Sequence, residues 1–440
     1  MTNRSESALL TGVGPDTVMG QFMRQYWIPA AKTSELTADG DPIRIMLLGE
    51  KLIAFRDTTG AVGVLDHRCP HRCASLFYGR NENNGLRCVY HGWKFDRDGN
   101  CLEMPNLKSS QGQISKVKAK SYKTTEQNGI IWVFMGDQNN VPPILQLEPV
   151  HLGEDELRVL FVMRECNWLQ ALEGDIDTSH FSFLHGGSIS LDQVSEDHPG
   201  RYQLSDRAPD YHVTETDWGT MYGAYRDTED PDERYWRIAQ FLFPFWTMPP
   251  DGDFNRHIIS RAWVPMDDSH TMFVHMSWKK NSQGLRVDKE GNSLPGVVTG
   301  MEFLPNTTDW YGRWRLAANV SNDYKIDREA QRQDKIYTGI TGIHLQDQAI
   351  TESMGSIVDH DWEHLAPSDR MIAQTRRRLL KIAKKCSKDK VPSPGVNDPE
   401  LMLAARSGEF IAKKNVDLWL SYRQHLKSSL NPTGRLKALS

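Results

Sequence analysis

No stretch of the 440 residues approaches the roughly 18 consecutive apolar positions that a membrane-spanning helix requires, which argues against an integral membrane protein. Charge of one sign is not in excess either. The chain has 52 Lys and Arg against 57 Asp and Glu, a formal net charge of −5, and this balance speaks against a nucleic-acid or anionic-membrane binder. Internal repeats, low-complexity tracts and a phosphate-binding glycine loop are missing, so no nucleotide, flavin or nicotinamide site is expected on this chain. Met1 to Gly14 is polar and lacks a basic stretch followed by an apolar run; no signal or transit peptide is expected, and the chain is expected to be soluble and cytoplasmic. Cysteine is sparse. The six residues Cys69, Cys73, Cys88, Cys101, Cys166 and Cys386 could close three disulfides, but a reducing compartment disfavours that. Four of them fall between Cys69 and Cys101, interleaved with His67, His71 and His91, and such a cluster is more often a metal site than a framework.

What is present is an ordinary globular composition, 39% hydrophobic and 25% charged, with length for two or three domains. From residue 41 to about 137, short β-branched and aromatic runs at 42–48, 51–56, 61–65 and 129–135 are separated by turn residues and predict a compact all-β module. Ahead of it, 17–27 has helical spacing with Asp16 as its cap. The Asn-Asn-Val-Pro-Pro stretch at 139–143 suggests a linker, which sets a boundary near 145–155 and a division into 1–150 and 151–440. Beyond it, 167–185 has helical spacing, while 210–226, 235–248 and 257–278 look like long strands, so the second domain is expected to be α+β with an antiparallel sheet. Segments 339–358 and 368–386 return to helical patterning. The second has a basic face of Arg376, Arg377, Arg378, Lys381, Lys384 and Lys385, read as a solvated face, with docking of an acidic partner as the sharper alternative.

Cys69-Pro-His71 and Cys88-Val-Tyr-His91 are separated by sixteen residues, giving ligands in the order Cys, His, Cys, His. Two short-spaced pairs on two loops can grip a metal centre from two sides. Structural zinc is a competing reading, but zinc patterns usually pair Cys with Cys and His with His. One of each per loop suits a two-iron cluster with both thiolates on one iron and both imidazoles on the other. The motifs C-P-H-R and C-V-Y-H-G-W-K-F resemble the Rieske 2Fe-2S signature. The resemblance implies Cys69 and Cys88 on one iron and His71 and His91 on the other, Gly92 permitting close backbone approach, and Trp93 packing over the cluster loop. Some respiratory relatives carry an extra disulfide, for which Cys73 and Cys101 are the nearby pair; here both are expected to be reduced core residues.

His180 and His185 lie five residues apart in a helical stretch. In an ideal helix they would point about 140° apart, so the helix must end or distort for both to reach one metal. The run Asp177-Thr-Ser-His180-Phe-Ser-Phe-Leu-His185 resembles the mononuclear iron motif of Rieske non-haem iron oxygenases, and the 440-residue length with the N-W-L-Q-A-L-E-G-D-I-D run at 167–177 resembles most the phthalate dioxygenase type of aromatic ring-hydroxylating terminal oxygenase. The resemblance implies an all-β Rieske domain followed by an antiparallel-sheet, helix-grip catalytic domain. It also implies one 2Fe-2S cluster and one mononuclear Fe(II) per subunit, electrons from NAD(P)H through a separate reductase, and a homotrimer or hexamer. His180 and His185 would then be iron ligands with Asp347 as the carboxylate; Glu352, Asp359 and Asp361 compete for that third place. Asp177 would bind no iron but would hydrogen-bond His180 and the partner subunit's His91, giving electrons a short route between centres. Glu173, where many relatives have Asn, is either close to the iron or an ordinary helix-surface acid.

The expected reaction is hydroxylation of an aromatic, carboxylated ring by dioxygen. An aromatic O-demethylase monooxygenase is the nearer alternative, and an electron-transfer Rieske protein without oxygenase activity the more distant one. The aromatic-rich segment 235–246 suggests core and pocket walls, and a carboxylate calls for a guanidinium, for which Arg207 and Arg237 are nominated.

Overall fold

The computed structural model describes residues 4–109 and 112–436. Two short helices, α1 (Arg4–Thr11) and α2 (Val18–Met23), open the fold. Thr17, not Asp16, caps α2: its hydroxyl accepts from the Gly20 amide at 3.0 Å and donates to the Gly12 and Gly14 carbonyls. The helix stops at Met23 because Trp27 already opens a strand.

Ten strands follow: β1 (Trp27–Lys32), β2 (Ile43–Leu47), β3 (Glu50–Arg56), β4 (Val62–Asp66), β5 (Arg80–Glu82), β6 (Gly85–Arg87), β7 (Lys94–Phe95), β8 (Cys101–Glu103), β9 (Ser121–Gln127) and β10 (Ile130–Phe134). Six form one antiparallel sheet in the order β1-β10-β9-β4-β3-β2, and β5 to β8 form a second. The two Cys/His loops leave β4 and β6, so both end against the core of Ile53, Phe55, Leu65, Leu86 and Phe95 that lies between the sheets.

The second half is built on β11 (Leu157–Arg164), β12 (Asp210–Thr216), β13 (Gly219–Asp227), β14 (Glu233–Leu242), β15 (Trp246–Met248), β16 (Ile259–Pro265), β17 (Thr271–Trp278) and β18 (Gly408–Lys413). The sheet runs β11-β17-β16-β15-β14-β13-β12, with β18 alongside β14. Each of the three segments read as one long strand proves to be interrupted by a turn. Thr216 accepts from the Gly219 amide at the first, Pro244 separates β14 from β15 at the second, and Asp267 accepts from the Ser269 amide at the third. The helices are α3 (Trp168–Ile176), α4 (Tyr202–Ser205), α5 (Arg328–Arg332), α6 (Ile343–Ser353), α7 (Arg370–Asp389) and α8 (Leu418–Ser428).

Strand alternation decides what each face meets. On β14, Trp236 and Ile238 join Leu418, Tyr422 and Leu426 of α8 in one core. Arg237 lies on the opposite face, where its Nη1 donates to Thr178 just beyond α3. Arg376 of α7 does not belong to the solvated basic face. It is buried, forking onto Glu173 of α3 and Glu363, whereas Arg377, Lys381, Lys384 and Lys385 are exposed. Glu173 is thus neither a surface acid nor a neighbour of the two histidines; it anchors α3 to α7.

Candidate metal centres

The two Cys/His loops share one turn. The Cys73 amide donates to the Cys69 carbonyl and the Gly92 amide to the Cys88 carbonyl, both at 2.9 Å, and Cys73 (φ +59°) and Gly92 (φ +79°) take the left-handed backbone at matching places. A Cβ on Gly92 would lie 2.6 Å from Pro105, which explains glycine there. The thiols of Cys69 and Cys88 are buried, and the rings of His71 and His91 sit 4.4 Å apart. Trp93 stacks on His71 at 4.2 Å and donates to Asn106. Burial, with Cys88 beside it, pushes the Cys69 thiol up to about 12, so thiolates at this place call for a bound cation. Nδ1 of His91 is buried with no hydrogen-bond partner among the described residues. A pair of thiols and an orphaned ring nitrogen fit an iron–sulfur cluster. Cys101 is buried as expected. Cys73 is exposed rather than part of the core, because the turn aims it outward, and both thiols are free.

The second constellation begins where α3 ends at Ile176. Phe181–His185 then forms a single π-helical turn in which the Gly186 amide donates to the Phe181 carbonyl at 2.8 Å. A turn that closes over five residues, unlike an α-turn, aligns side chains five apart. Nε2 of His180 therefore comes to 3.1 Å from Nε2 of His185. Asp347, on the first turns of α6, places Oδ1 at 3.0 Å from His185 Nε2 and 3.5 Å from His180 Nε2. Neighbouring ligands on a metal with bonds of roughly 2.1 Å are separated by about 3 Å, so these three atoms match one face of a coordination sphere. Among the described residues the same three are a group able to hold a metal ion.

The surroundings favour positive charge at that point. Burial opposes it, but Asp177 and Asp347 push His180 up to about 9. The Asp347 carboxyl, despite burial, is held below the usual carboxylate range by His185, His180 and Arg164. Asp177 accepts from the Ser179 amide and hydroxyl, both at 2.9 Å, and its other oxygen lies 3.4 Å from His180 Nδ1. Sequence reasoning missed Gln346. Its Nε2 donates to the Ile340 carbonyl at 2.7 Å, which turns Oε1 toward His185 Nδ1 at 2.5 Å and leaves His185 Nε2 for a metal. Glu352 is turned away toward Tyr324 and Gln348.

A cavity of about 60 Å³ touches Asp177, His180, His185, Arg237 and Asp347, and a neighbouring one of about 190 Å³ shares Asp251, Arg261, Ile343 and Asp347 with it. Arg237 lines the inner cavity but is engaged with Thr178, the Pro250 carbonyl and Glu409. Arg207 lines neither; it lies over Phe183 and reaches the Gly187 carbonyl. No helix among the described residues is long and apolar enough to cross a membrane.

A family model for the Rieske [2Fe-2S] domain matches residues 26–123, and one described as LigXa C-terminal domain like matches residues 133–432. The chain belongs to the Rieske non-haem iron aromatic ring-hydroxylating oxygenases, and carries their 2Fe-2S domain and antiparallel-sheet catalytic domain. It is 48% identical over 422 residues to the 3-chlorobenzoate-3,4-dioxygenase oxygenase subunit of Comamonas testosteroni, covering 95% of this chain and 97% of that one. To the phthalate 4,5-dioxygenase oxygenase subunit of Pseudomonas putida it is 37% identical, with 86% of each chain covered. The fold is shared with the solved Pseudomonas putida CBB5 NdmA QL mutant with theobromine, at TM-score 0.55, 17% identity, and coverage of 91% of this chain and 99% of that chain.

Proposed function

We propose that the protein is a cytoplasmic terminal oxygenase that hydroxylates a carboxylated aromatic ring, fed with electrons from NAD(P)H by a separate reductase. The observation that carries this reading is the triad of His180, His185 and Asp347 on an inner cavity, with Asp347 also bordering the neighbouring cavity that Arg158, Arg261 and Arg286 line. Cys69 and Cys88 would hold one iron of the cluster and His71 and His91 the other; His180, His185 and Asp347 would hold the mononuclear iron. Iron at these two centres supplies electron storage and dioxygen activation. The residues around them do the rest. Gln346 fixes the His185 ring, Asp177 fixes His180 and reaches the partner subunit's His91 in a homotrimer or hexamer, and Arg237, held by Thr178 and Glu409, closes the inner wall. The division into 1–150 and 151–440 follows the same assignment of one centre to each half.

Relatives that act on 3-chlorobenzoate and phthalate support an aromatic acid as substrate. Turnover of benzoates, phthalates and methoxybenzoates with a compatible reductase tests this by product mass. A ring-hydroxylated acid is expected; formaldehyde release from methoxy acids without ring hydroxylation would favour O-demethylation instead.

A further inference from the structure

The larger cavity has a floor that the sheet register defines. Leu160, His275 and Arg261 are cross-strand neighbours on β11, β17 and β16, and so are Arg158, Ser277 and Ile259 one row further out. Both rows face the same side, with α6 opposite through Ile343, His344 and Asp347. The rows are two residues apart, which is about 7 Å along a strand.

Charge is distributed unevenly along this floor. Arg261 is paired with Asp175, and Arg286 with Asp251, so the inner guanidinium groups are neutralised. At the outer end the Arg158 guanidinium has no ion-pair or hydrogen-bond partner among the described residues, and the Lys279 ammonium donates there only to the Asp155 carbonyl. Between the two ends, Leu160, Ile259, Phe273 and Met301 supply apolar wall, and Nε2 of His344 is buried without a hydrogen-bond partner among the described residues. An unpaired guanidinium, an apolar wall and an orphaned imidazole nitrogen are complementary to a ring bearing an oxyanion. A volume of about 190 Å³ falls below the roughly 300–1,000 Å³ of sites for drug-sized ligands and suits a single ring.

We propose that Arg158 and Lys279 form an oxyanion subsite that seats the carboxylate of the substrate at the outer end of the chamber, so that the ring edge points toward His180, His185 and Asp347. This rests on the aromatic-acid reading above and adds to it the anchoring residues, Arg158 first. Because Arg158 is exposed at the mouth, solvent and salt screen it, and its effect belongs to the weaker range of charge-assisted pairs.

The test is equilibrium binding of benzoate, benzenesulfonate and benzamide to the holoprotein under anaerobic conditions by titration calorimetry, for the unmodified protein, Arg158→Met and, as a charge control outside the chamber, Lys280→Met. Benzoate is expected to bind the unmodified protein more tightly than neutral benzamide, and to lose about tenfold in Arg158→Met but less than twofold in Lys280→Met. Benzenesulfonate, if accepted, should lose in parallel. Benzoate affinity unchanged in Arg158→Met, or equal affinity for benzoate and benzamide, would overturn the subsite. Turnover of aromatic acids with Arg158-independent binding would leave the function standing without the subsite; Arg158-dependent benzoate binding with no turnover of any aromatic acid would do the reverse.

Discussion

Nε2 of His180 and Nε2 of His185 lie 3.1 Å apart although five residues separate them, because a π-helical turn replaces the α-helix between them. That single local change, with Asp347 arriving from α6, converts two diverging side chains into one side of a metal site.

Asp177 accepts from Ser179 and faces His180 Nδ1 without entering the triad. Asp177→Ala is expected to leave the visible spectrum of the cluster intact while abolishing turnover. Full activity in that variant would contradict the bridging role.

Gln346 sets the tautomer of His185 through Nδ1. Gln346→Leu should weaken metal binding at the triad by about 10–100-fold, read as iron lost to a competing chelator, while Gln346→Glu, which keeps an acceptor, should hold more iron than Leu. Equal retention in all three proteins would show that His185 needs no such partner.

Arg376 is buried between Glu173 and Glu363. Its removal in Arg376→Met strands a buried carboxylate and should destabilise the fold by about 3–5 kcal/mol in denaturant melts. Arg377→Met, one residue along and exposed, should change stability by about 0.5 kcal/mol or less. Comparable effects for the two would contradict the burial of Arg376.

Burial lowers His257 to about 4, despite Asp251 nearby. Its pKa is therefore lower in the folded chain than in the unfolded one. As pH falls from about 6.5 toward 4 the unfolded chain takes up the proton first, and stability drops by up to about 1.4 kcal/mol per pH unit from this group. His257→Gln should flatten that slope; an unchanged slope would assign the acid sensitivity to other groups.

The cluster loops and the His180/His185 pair were legible in the sequence because their ligands sit within a few residues of one another. Asp347, more than 160 residues from His185, was reached through family resemblance rather than spacing. Gln346 was not, since nothing in a lone glutamine signals the imidazole it will face. Arg376 was misplaced among its basic neighbours, although it falls on the stripe of Met371, Thr375, Leu379, Leu380 and Ala383 that α7 buries. The facing of the chamber residues Arg158 and Arg261 depends on the cross-strand register of β11, β17 and β16, which residue pattern along one strand does not carry.

The most direct test is iron and acid-labile sulfide per chain in anaerobically purified protein and in Asp347→Ala. The two-centre account predicts about three irons and two sulfides for the unmodified protein, falling to about two of each in the variant with the cluster spectrum unchanged. Two irons in the unmodified protein, or three retained in Asp347→Ala, would contradict the assignment of His180, His185 and Asp347 as the second metal centre.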